Sequence, residues 1–326
     1  MNLGPPLSFT LATTLSTTVS DLRGQIAATS QEVATGRRSD LASHLDGRIG
    51  SAMLSQRAVE QIADERMTLD LRSSRLEIAQ SALDNLQGLA ADLPGRMQSA
   101  AKFGDQPAME QVASEAKAAL GQAMNAMNTR HGERYLFSGD ATATAPFADK
   151  DVLLNDLRTI IQAAPDAAGL ESAMDTYFYS PTGGWQTGIY SGTSTASDPD
   201  AVTGTAPAIV ETIRGLAMTA LAAPSENMPF LGADDSTFDK AMASLRVADS
   251  LLINQRASIG SSLDSIATAQ QMLDTEETLL ATAFNEIAGR DQFEAATELR
   301  ELERNLEASY LLTSRLANFS LMNYLR

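Results

Sequence analysis

The sequence predicts a mainly α protein: a long antiparallel, heptad-type helical bundle built from both chain ends, with a small mixed α/β insert between them. Three observations carry that prediction. Leu245, Leu252, Ile259, Ile266, Leu273, Leu280 and Ile287 fall seven residues apart, one aliphatic column that can only be buried against other helices. Ile62, Leu69, Leu76 and Leu83 repeat the spacing in the N-terminal half. Between these columns the composition changes abruptly near Ser138.

Along the chain, Leu15, Val19, Leu22, Ile26 and Val33 alternate steps of four and three, with Thr29 in one slot. That pattern predicts a first coiled-coil helix, ending at a Gly-containing stretch over residues 36–50. A long helix resumes near Ile49, carries the first column, and meets Pro94-Gly95, which kinks or ends it. Asp105 and Pro107 mark the next start, as cap and first-turn proline. Val112, Ala116, Ala119, Ala123 and Met127 give that helix a thin apolar face, which stops at Arg130-His131-Gly132.

Residues 138–235 hold seven of the eleven prolines, the only Trp, and 13 acidic against 3 basic residues, most of the net charge of −17. Helices are expected over 153–162 and 209–221. Short strands around the Gly183-Gly184 turn are expected over 177–191, and a loop over 191–205. The long column follows over 236–288, roughly 80 Å of helix at about 1.5 Å per residue. It breaks at Gly289-Arg290-Asp291, and Leu299, Leu302, Leu306, Tyr310, Thr313, Leu316 and Ser320 stripe a last helix. The expected segments are therefore 1–35, 36–137, 138–235, 236–288 and 289–326, with the insert projecting from the far end of the bundle. The two terminal stripes lie outside the main bundle. They have each other and neighbouring molecules to pack against, which points to an intermolecular role.

The bulk numbers exclude several classes. A net charge of −17 opposes nucleic acid and anionic lipid. Without cysteine there is no disulfide, thiolate metal site or Cys nucleophile. The N-terminal residues lack a basic segment followed by an apolar run, so no cleaved secretory signal is expected, and no run is long enough to span a membrane. Phosphate-loop, dinucleotide, zinc and calcium patterns are absent from the sequence. His44, near Asp46 and Arg48, reads as a loop histidine, and His131 as one following a helix end. Asp234-Asp235 reads as a turn before Ser236. Trp185, Tyr177, Phe178, Tyr179 and Tyr190 read as the core of the insert, and Met97, Met109, Met124 and Met127 as packing. The insert contains no histidine, so no enzyme and no cofactor or metal is expected.

Several local sequences resemble the flagellin superfamily. Residues 31–38 (QEVATGRR) are similar to the "LSTGKRI" segment after that family's first helix, and residues 134–139 (RYLFSG) to a "YLFSG" motif of its hook-associated junction members. Residues 251–262 (LLINQRASIGSS) resemble the helix that returns after the insert. Residues 306–310 (LEASY) with 320–325 (SLMNYL) resemble the junction members' tail, which brings Leu321 and Tyr324 into the assembly set. Residues 39–49 depart from the family's "SDDP"-like stretch. The resemblance implies a ring-like, self-assembling layer on the flagellum, joining hook-associated protein 1 to flagellin, with the filament subunit as the alternative role. It further implies unfolded export through the type III channel, a cytoplasmic chaperone on the C-terminal helix, and an extracellular destination.

Overall fold

A computed structural model describes residues 7–40, 49–232 and 235–324, with backbone alone at 7–13, 15, 49, 51, 52 and 316–324. The chain is mainly α: nine α-helices and one two-stranded hairpin lie among the described residues. In order these are α1 (Leu7–Thr35), α2 (Ile49–Ala90), α3 (Leu93–Lys102), α4 (Gln106–Met127), the hairpin β1 (Arg130–His131) and β2 (Arg134–Tyr135), α5 (Lys150–Ala163), α6 (Ala167–Tyr179), α7 (Pro207–Leu221), α8 (Ser236–Ala288) and α9 (Gln292–Tyr324). They divide into two compact units, residues 1–66 with 271–326, and residues 67–270.

In the unit formed by 67–270, starts and stops follow local chemistry. Asp105 accepts the Ala108 amide and Pro107 sits in the first turn of α4. Asp149 and Asp166 cap α5 and α6 in the same way, each satisfying an amide the helix leaves free. Helix α7 is apolar nearly all round, and Ile209, Ile213, Leu216 and Ala217 are fully buried, as befits a helix surrounded by others. It packs chiefly on α4, whose Val112, Ala116, Ala119, Ala123 and Met127 are all buried. One continuous core joins Leu76, Leu83 and Leu86 of α2 to the insert and to Leu245, Leu252, Ile259 and Ile266 of α8. The insert therefore shares its core with the helices on either side of it in sequence. Antiparallel cross-links between α2 and α8 accompany this burial, from Gln270 to Asp70, Arg256 to Asp84, and Gln87 to Asp249.

The strands expected over 177–191 do not form. Tyr177 and Tyr179 lie in the last turn of α6, and Trp185–Ile189 is a single π-helical turn. The aromatic run suggested a pleated surface, but Asp166 starts a helix whose Leu170, Met174, Tyr177 and Phe178 share one buried face. Only an isolated bridge between Phe147 and Tyr190 is strand-like there, and the hairpin lies before residue 138. The insert is thus helical, not mixed α/β. Its rings do cluster: Phe147, Phe178, Trp185 and Tyr190 stack with centroids 5.6 Å apart. Tyr179 is the exception, half-exposed beside Arg214. The four methionines singled out above are buried in helix packing.

In the unit formed by 1–66 and 271–326, α1 and α9 pack along each other. They run antiparallel, since Gln292 donates to the Val33 carbonyl at 3.3 Å and Arg23 donates to the Tyr310 hydroxyl at 3.0 Å. Arg66 on α2 ion-pairs with Asp274 and Glu277 on α8.

Candidate functional site

Within this same unit, the two breaks read from the sequence, at Gly36 and at Gly289, meet and form an elbow. Arg37 and Gly289 form an antiparallel bridge: the Arg38 amide donates to the Ala288 carbonyl at 3.1 Å, and the Arg290 amide to the Gly36 carbonyl at 3.0 Å. Both glycines are required. Gly36 sits at φ +66°, a left-handed conformation that closes α1. A Cβ on Gly289 would come within 2.2 Å of the Asn285 carbonyl oxygen. Asp291 then restarts the chain, its carboxylate accepting the amides of Phe293 at 2.8 Å and Glu294 at 3.2 Å.

A charged clasp lies across the elbow. The Glu32 carboxylate accepts the Ser39 amide at 2.8 Å and the Ser39 hydroxyl at 3.0 Å, and lies 3.5 Å from Arg290 Nε. Arg290 also pairs with Glu298, so one guanidinium ties α1 to the first turns of α9. Both partners of the Glu32–Arg290 pair are largely buried, with side chains 14% and 11% exposed. Burial pushes the Glu32 carboxyl up. The two bonds from Ser39 and the charges of Arg290 and Arg38 outweigh that and hold it below the usual value of 4.5. Sequence reasoning located both breaks and missed the clasp. Its one visible signal was a glycine just past the helix end at both breaks.

The expected assembly residues divide by position. Val19, Leu22, Ile26 and Val33 on α1, and Leu299, Leu302 and Leu306 on α9, are half-buried, whereas Thr29 and Ala295 are buried. Tyr310 is exposed and holds Arg23. The side chains of Leu15, Leu316, Leu321 and Tyr324 lie outside the described ones. Further apolar groups are left on the surface: Phe293 is 83% exposed, and Leu311 and Leu312 are exposed beside Tyr310. Of the column residues, Ile62, Leu76, Leu83, Leu245, Leu252, Ile259, Ile266 and Leu273 are buried, while Leu69, Leu280 and Ile287 are half-buried. The α1/α9 pair is thus tied at one end by polar contacts and covers its apolar stripe only partly, which suits a surface completed by other molecules.

His131 lies in the hairpin, 3.3 Å from the Ser74 hydroxyl. His44, Asp46, Arg48 and Asp234 lie outside the described residues. Asp235 accepts the Gly232 amide at 2.9 Å in the turn before α8. In the unit 67–270, a cleft of about 90 Å³ is lined by Arg72, Arg75, Arg134, Asp140, Asp198 and Asp200 among others. Its three carboxylates each have a partner. Asp200 accepts Arg72 Nε at 2.7 Å and the Ser262 hydroxyl at 2.8 Å, Asp198 faces Arg75 at 3.7 Å, and Asp140 accepts the Ser197 amide. Burial raises the Asp200 carboxyl, and the bonds from Arg72 and Ser262 reverse that and keep it low. The arrangement straps the loop of the insert to α2 and α8. No group of three His, Asp or Glu residues placed to hold a metal ion occurs among the described residues, and no described helix is long and apolar enough to cross a membrane.

Comparison with known proteins adds one finding. No curated protein matches the chain. Residues 231–325, which include α8, the Gly289 elbow and α9, match the family model of the bacterial flagellin C-terminal helical region. The match covers less than a third of the chain and shows a flagellin-type C-terminal helical region there.

Proposed function

We propose that the chain is a structural adaptor of the bacterial flagellum that joins the hook to the flagellin filament, as hook-associated protein 3 does. Its work is assembly through the paired terminal helices, and it makes or breaks no bond. The observation that carries this reading is the α1/α9 pair, tied at its elbow yet with its apolar stripe only half-buried and Phe293, Leu311 and Leu312 left outside. The flagellin match supports a flagellar structural protein. The RYLFSG segment at 134–139 and the tail over 306–325 favour the junction role over the filament subunit. In this reading the neighbours are hook-associated protein 1 on one side, flagellin on the other, and copies of the chain within a ring-like layer. Export through the type III channel, with a cytoplasmic chaperone on α9, precedes assembly outside the cell. Removing residues 293–326 tests the mechanism. The shortened chain is expected to remain soluble and helical by circular dichroism but to join no filament to the hook; a truncated chain that still joins them would overturn the proposal.

A further inference from the structure

A groove of about 330 Å³ opens in the unit formed by 1–66 and 271–326, between the first turns of α2 and the last turns of α8. Val59, Leu280, Ala281 and Phe284 give it apolar walls, with Ser55 and Gln56 at its polar side. Arg37 is the charged group of its lining and lies over the Phe284 ring, 5.4 Å from the centroid. Leu54 and Leu279, next to the lining residues in sequence, are each 66% exposed. The same unit carries an exposed aromatic ring elsewhere. Phe293, 83% exposed, stands on the first turn of α9 with acidic Asp291 and Glu294 on either side of it.

From an apolar groove beside a cation and an exposed ring beside carboxylates we infer that the groove receives Phe293 of a second copy of this chain, with the acidic flank of the Phe meeting Arg37. A largely exposed Phe gains most from such a pocket, since burying its ring removes roughly 150–250 Å² from water. Opposite charge at the rim fixes orientation more than it adds affinity. Knob and hole are different residues of one molecule, so every copy carries both halves of the contact. Made head to tail the contact closes a ring or winds a helix, and made reciprocally it closes a two-fold dimer; either arrangement joins copies of the chain. The inference deepens the assembly reading above and rests on it.

The chain has no cysteine, so introduced thiols report one contact only. Two full-length single variants, Gln56→Cys at the groove and Thr297→Cys one turn after Phe293, are mixed and treated with a short bifunctional maleimide. The mixture is expected to give a cross-linked dimer that neither variant gives alone. Adding Phe293→Ala to the Thr297→Cys chain should lower the yield at least about tenfold; the residue is exposed, so its loss leaves folding intact. Arg37→Glu should weaken the cross-link, and Glu294→Arg in the other chain should restore it. No mixed dimer, a dimer of Thr297→Cys with itself, or a yield indifferent to Phe293 would each overturn the contact. The adaptor reading is decided separately, by where the chain sits on the flagellum. A junction layer without this cross-link defeats only the contact, and the cross-link in a chain absent from flagella defeats only the reading.

Discussion

At the scale of single residues, the elbow turns on Glu32. Its carboxyl titrates below 4.5 in the folded chain, because Ser39, Arg290 and Arg38 favour the charged form more than burial disfavours it. A carboxyl lowered by folding contributes stability that is fully present above its unfolded value. That contribution is lost as pH falls from about 4.5 through the lower folded value. Protection of the Ser39 and Arg290 amides, relative to the intrinsic exchange rate at each pH, should therefore fall selectively over that acid window, before that of the amides of buried α7. Glu32→Gln should abolish the pH dependence. Arg290→Ala removes the nearer cation of a largely buried carboxylate, leaving Arg38 and the Ser39 bonds, and is expected to cost about 1–3 kcal/mol in local protection. Unchanged exchange at pH 7 in that variant would show the clasp to be ornamental.

At the scale of elements, legibility followed periodicity. The breaks at Gly289-Arg290-Asp291 and at Gly36, the cap at Asp105, and the buried rows of α4 and α8 could be read because spacing and caps are local signals. The insert could not be read in the same way. Its aromatics have strand propensity, yet Phe178 packs on Trp185, and Tyr177 packs on Phe178 and bonds to Asp156, all from within a helix, and tertiary contact overrides propensity. The clasp was invisible for another reason. Glu32 and Arg290 are separated by most of the chain, and no pattern within either helix announces a partner. A seven-residue row likewise gives a face without its depth. Leu252 is fully buried while Leu280, four heptads on, lines an open groove. Leu252→Ala should thus cost about 2–5 kcal/mol, and Leu280→Ala about 1 kcal/mol, in proportion to the area each removes from water. Equilibrium urea unfolding of the two variants checks this, and equal shifts would contradict the burial described.

At the scale of the whole molecule, long and partly covered helices dominate the described residues. The acidic insert uses its charges structurally: Asp200 ties α2 and α8, and Glu226 pairs with Arg158. The terminal pair is the part left incomplete, with Phe293 and Leu311 facing solvent. In the proposed reading this surface is completed by joining other molecules, and the match of residues 231–325 to the flagellin C-terminal helical region supports that reading. The central claim is position: one layer between hook and filament. The most direct test is cryo-electron microscopy of flagella from the native source carrying a label in the insert. The account predicts label in a single layer where hook meets filament. Label along the whole filament would make the chain a filament subunit and contradict the adaptor role, and flagella without label would contradict the flagellar assignment itself.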